Sequence, residues 1–149
     1  MNENILKGIQ QVVAEKLVHN FDISQPQIEE ITNLTKQTFP NSLKSFVLKN
    51  GTTEIENVLL GKQKPEDGKL LNFCSENFHN IFSKTLGSNV DVNSIANFTV
   101  TESLNQFTNQ FQESNHSKDL DGICSFLGVD KNILKLANSP VSKFMGKFF

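Results

Sequence analysis

The sequence contains no arginine, no tryptophan and no tyrosine, and only two cysteines and four prolines among its 149 residues. Each shortage removes a class of chemistry. Without arginine there is no planar guanidinium fork for bidentate grip on phosphate, carboxylate or guanine. The 14 basic residues are all lysine, they are outnumbered by 16 Asp and Glu, and the formal net charge is −2. That balance argues against a nucleic-acid partner. Without tyrosine no phenol is available as a general acid or an interfacial hydrogen-bonder. Cys74 and Cys124 are far apart in apolar helical contexts, which suit buried small hydrophobes better than a disulfide. The opening Met1-Asn-Glu-Asn-Ile-Leu-Lys7 lacks the basic and apolar regions of a secretory signal. No apolar run approaches the ~18 residues of a membrane span. Asn-x-Ser/Thr triplets begin at Asn33, Asn50, Asn97 and Asn115, but in an asparagine-rich chain with no signal they carry no weight. The expectation is a cytoplasmic protein with no integral membrane segment.

What the chain does have is phenylalanine, 13 of them, and helical periodicity almost throughout. Ile5, Ile9, Val12, Val13 and Leu17 space a first helix over residues 4–19. Ser24-Gln-Pro-Gln27 reads as a capping box with proline in the first turn. It opens a helix with Ile28, Ile31 and Leu34, which Pro40 is expected to stop. Leu43, Phe46 and Val47 then carry a further helix to Gly51, and Thr53-Glu-Ile-Glu56 reads as a second capping box. Beyond residues 61–68, Leu71, Cys74, Phe78, Phe82 and Leu86 mark a Phe-rich helix ending at Gly87. After a turn at Ser88–Asp91, Ile95 and Phe98 start a helical stretch, and Thr99-Val-Thr-Glu102 reads as a fresh cap for Leu104, Phe107 and Phe111. Asp119 to Gly128 forms a short helix. Asp130 caps another with Ile133 and Leu134, and Ser139-Pro140 caps the last.

The expected fold is therefore all-α: a compact bundle of eight or nine short-to-medium helices in one domain, 1–149. Residues 61–68, Gly-Lys-Gln-Lys-Pro-Glu-Asp-Gly, form the clearest linker. Echoes between residues 1–60 and 69–138 (Leu43-Lys-Ser-Phe46 and Leu104-Asn-Gln-Phe107, for instance) fit either two pseudo-repeat halves or shared helical grammar. Residues 140–149 form an amphipathic C-terminal helix, with Val141, Phe144, Met145 and Phe148 on one face and Lys143 and Lys147 on the other.

Reactive constellations are sparse. His19, His79 and His116 have no ligand spacing with one another or with cysteine, so no metal is expected. Glu29 and Glu30 lie about 100° apart on a helix, and Glu54 and Glu56 fit capping roles better than acid–base work. Asp119 and Asp121 lack the further oxygens of a calcium loop. No glycine-rich phosphate loop is present. The expectation is a non-enzyme with no catalytic residue and no cofactor. Two apolar groupings remain. Phe144, Met145, Phe148 and Phe149 at the tail form a candidate interaction surface. Phe73, Phe78, Phe82 and Phe107 are candidates to line a cavity for an acyl chain, although at helical spacing such rings also serve as plain core.

Phe82-Ser-Lys-Thr-Leu-Gly87, Val90-Asp-Val-Asn-Ser-Ile-Ala96, Ser103-Leu-Asn-Gln-Phe107 and Asp119-Leu-Asp-Gly-Ile123 with Leu127-Gly128 resemble the YidB-like family. These are small bacterial helical proteins of unknown function, and the resemblance is strongest to two-part relatives in Bacteroidetes. The first half matches more weakly, through Ile23-Ser to Lys44 and the Asn50-Gly51 turn. The chain departs from the pattern in its scarcity of glycine runs. The resemblance implies an all-helical, soluble, non-enzymatic protein and brings no catalytic residue with it. The expected function is a cytoplasmic protein-interaction or scaffolding module, with an unidentified protein partner or self-association; the alternative is a carrier of an apolar ligand or lipid.

Overall fold

Caps set where the helices begin. In the computed structural model, which describes residues 1–87 and 90–128, the Asn2 side chain accepts the Asn4 N–H at 2.7 Å and starts α1 (Glu3–Asn20). Ser24 and Gln27 complete a reciprocal capping box at α2 (Gln25–Asn50), as their spacing predicts. Short α3 spans Thr53–Leu59, and a single 3-10 turn at Pro65–Asp67 leads to α4 (Leu70–Thr85). Asp91 accepts the Ser94 N–H at 3.2 Å to open α5 (Val92–Glu113). Asp119 accepts the Gly122 N–H at 2.9 Å to open α6 (Leu120–Leu127). α6 ends at Gly128, whose φ of 72° is the left-handed conformation that glycine adopts without strain.

The described residues form six helices and no strand; eight or nine were expected over the whole chain, and within the described residues there are fewer than the spacing predicts. Two pairs of expected helices are single ones. Pro40 does not stop α2 but lies inside it. An internal proline costs about 3 kcal/mol. Continuing the helix past it buries Leu43, Phe46 and Val47, which at ~1.5–3 kcal/mol each outweighs that cost. Likewise Thr99 does not cap a new helix: it is fully buried in the middle of α5. The second expected capping box does not form, since no side chain caps the start of α3. Thr52, not Thr53, precedes α3, and its hydroxyl donates to the Glu56 carboxylate at 3.1 Å. The helices expected at Asp130 and over 140–149 lie outside the described residues.

The four long helices form a ring in which each packs along two neighbours, α1 on α2 and α5, and α4 on α2 and α5. All neighbours run antiparallel. Lys36 reaches Glu3 and Gln10 reaches the Thr32 carbonyl between α1 and α2. Phe46 meets Phe73, and Asn77 meets Ser42, between α2 and α4. Gln110 reaches Ile5 and Lys16 reaches Glu102 between α5 and α1. This is an up-down-up-down four-helix bundle. Its single core draws buried residues from all six helices. Phe39 and Phe107 meet edge to face across it, ring centroids 5.6 Å apart.

α3 and α6 pack against each other where α2 and α5 end. Phe126 of α6 sits 5.2 Å from Phe107 and 5.3 Å from Phe111, joining this end to the core. In the intervening turn, Lys118 Nζ donates to the carbonyls of Phe111 (2.5 Å) and Ser114 (3.1 Å) and lies 4.4 Å from the Phe111 ring centre. It thereby answers the unpaired carbonyls and negative end of α5. Gly122 is enforced by space, since a Cβ there would sit 1.6 Å from the Ser117 carbonyl oxygen.

Candidate functional site

The linker is held in place by backbone capture. The N–H groups of Lys62 and Gln63 both donate to the Asn57 carbonyl, at 2.8 and 3.2 Å. At the far end the Glu54 carboxylate accepts the N–H groups of Lys69 (3.1 Å) and Leu70 (2.6 Å). No side chain of Lys69 caps α4, so Glu54 supplies that cap from 15 residues upstream. A carboxylate at a helix N-terminus meets both the orphan donors and the positive end of the dipole. Gly68 makes the approach feasible, because a Cβ there would lie 2.5 Å from the Glu54 carboxylate.

Held this way, the linker forms one wall of a groove of about 660 Å³ against α1 and α5. α5 contributes Glu102, Asn105, Gln106 and Asn109, spaced i, i+3, i+4, i+7 and so on one helical stripe. α1 contributes Val12 and Lys16, and the linker adds Lys62, Lys64 and Asp67. Lys16 and Glu102 pair at 2.9 Å, with the glutamate side chain only 15% exposed. Lys62 and Lys64 are exposed, and among the described residues no ion pair engages them. Thr108 also lines the groove, and its shielded hydroxyl has no hydrogen-bond partner among the described residues. A second groove of about 360 Å³ lies between α2 and α4 and is lined by the amides of Gln37, Asn41, Asn77 and Asn80.

The four rings proposed for an apolar cavity are not brought together as a lining of either groove. Phe78 and Phe82 are fully buried and pair edge to face at 5.5 Å. Phe107 is wedged between Phe39 and Phe126. Phe73 is half-buried, pairing with Phe46 at 5.4 Å beneath the Lys49 ammonium. Phe144, Met145, Phe148 and Phe149 lie outside the described residues.

Burial pushes the Cys74 thiol from 9.0 up to about 12, with the nearby Glu54 charge as a lesser cause. It is a core group and stays protonated at neutral pH. His79 lies beside Ser83 on α4, and His116 packs on Phe126. Among the described residues no three His, Cys, Asp or Glu side chains are grouped to hold a metal. No described helix is long and apolar enough to cross a membrane. No protein-family model, curated protein or solved structure matches the chain.

The groove residues were in view in the sequence without a mark to separate them. Glu102, Asn105, Gln106 and Asn109 form the polar stripe opposite Ser103, Leu104, Phe107 and Phe111. A polar stripe on an amphipathic helix reads as a solvated face. Only the folded linker turns it into one side of a groove.

Proposed function

We propose that the chain is a non-enzymatic protein-interaction or scaffolding module of the cytoplasm, with the groove between α1, α5 and the linker as its docking face. One contrast carries this reading. The interior phenylalanines spend their faces on one another, while the larger groove opens to solvent and sets amides and lysines among Val12, Val58 and Pro65. An apolar cargo needs a predominantly apolar, enclosed lining, and an open groove of mixed polarity suits a protein surface instead. The tail residues Phe144, Met145, Phe148 and Phe149 belong to the proposal as a second contact surface. Kinship with the YidB-like proteins is proposed on the motif resemblance alone and is not needed for this reading.

Affinity capture with the full chain tests it, run beside an Asn105→Arg/Asn109→Arg variant that fills the groove from two exposed positions. A protein retained in stoichiometric amount by the parent chain and lost by the variant, at unchanged melting temperature, is the expected result. A co-purifying lipid, or identical proteins on both chains, would overturn the groove as docking face.

A further inference from the structure

We infer that the groove takes an extended peptide segment and reads one acidic side chain in it, the carboxylate lodging between Lys62 and Lys64. This rests on the interaction-module reading and adds the chemistry of the partner. The stripe from Glu102 to Asn109 covers seven helical rises, about 10 Å, which an extended chain spans in about three residues. The volume of about 660 Å³ falls within the ~300–1,000 Å³ usual for ligand sites. Asn105, Gln106 and Asn109 each offer a paired donor and acceptor, the complement of a peptide main chain, and no hydrogen bond to a described residue occupies them.

The charge points the same way. Glu102 is already answered by Lys16, which leaves Lys62 and Lys64 against Asp67 along the wall. Those lysines are not on a loose loop: the Asn57 carbonyl and the Glu54 carboxylate hold both ends of their segment. A wall fixed before binding loses little entropy when a partner arrives, so even modest contacts yield measurable affinity.

Selection of random hexapeptides displayed on phage against the immobilised full chain tests the inference. The expected outcome is a consensus with one Asp or Glu. Its binding should weaken by about tenfold in a Lys62→Glu/Lys64→Glu variant, as reversed charge predicts, and should fall with added salt. Asn105→Ala/Asn109→Ala should weaken it at unchanged melting temperature. Peptides whose acidic residue is replaceable by its amide without loss, peptides bound equally by the lysine variant, or no enrichment at all would overturn the inference. The module reading fails separately, on the capture experiment with the groove-filling arginines. A partner lost there but indifferent to Lys62→Glu/Lys64→Glu sinks the acidic-peptide inference alone.

Discussion

Cys74 shows how a single buried group makes stability depend on pH. Its thiol ionises near 9.0 when solvated and near 12 in the fold. The folded state therefore holds the proton longer. The associated stability is complete below pH 9 and is lost progressively as the pH rises toward 12. Urea unfolding at pH 8 and pH 10.5 should show a steeper alkaline loss for the parent chain than for Cys74→Ala, whatever cavity cost the alanine adds at both pH values. Asp91 works in the opposite sense. Hydrogen bonds from the Ser94 hydroxyl and N–H hold its carboxyl below its usual 3.8, so the α5 cap is retained above that value and lost in more acid solution. At the other end of α5, Lys118 satisfies two carbonyls and covers a ring. Lys118→Met keeps the stem and removes those charged donors, and should cost about 1–2 kcal/mol in chemical denaturation.

The apolar spacing marks α2 and α5 as helical but does not set their extent, because each runs through a point where the sequence predicts a break. The Ser24–Gln27 box is a local arrangement, so four residues suffice to recognise it. The continuation of α2 through Pro40 is not local, because it depends on what Phe46 and Val47 meet on other helices. Since the proline is carried against its own penalty, Pro40→Ala should raise stability, by about 1–3 kcal/mol after allowance for the greater freedom it gives the unfolded chain. A higher urea midpoint checks this, and an unchanged or lower one refutes it. The linker clamp was hidden for a related reason: Glu54 and Leu70 are 16 residues apart, and no spacing rule pairs them. Glu54→Ala should lose about 1–2 kcal/mol. Gly68→Ala should lose a similar amount by displacing the same carboxylate. Because both changes break one interaction, the double variant should cost clearly less than the sum of the two singles.

At the scale of the molecule, the helical character of the described residues was legible from the 3–4 spacing of the apolar ones, but the pairing of helices was not. Nothing in the stripe of Ile5, Ile9, Val13 and Leu17 says that α1 lies beside α5 as well as α2. The candidate site shared that fate, since its two sides come from α5 and from a linker nearly 40 residues upstream. The rings tie the parts into one unit: Phe39, Phe107 and Phe126 connect α2, α5 and α6 in sequence. Phe126→Ala should therefore cost about 3–5 kcal/mol and leave a single cooperative transition, with helix content and Cys74 accessibility lost together. Separate transitions would show that the α3–α6 end unfolds on its own.

The closed ring also sets the order in which the chain becomes complete during synthesis. α1 leaves the ribosome first, yet one of its two neighbours is α5, the last of the four long helices to be made. Until residue 113 has emerged, α1 and α2 can form a hairpin but have no fourth wall to close against. The apolar surface that α1 turns toward α5 must wait, uncovered, for most of the time it takes to translate the described chain. The polar and charged residues that dominate the outer faces of α1 and α2 help keep that half-built bundle in solution during the wait.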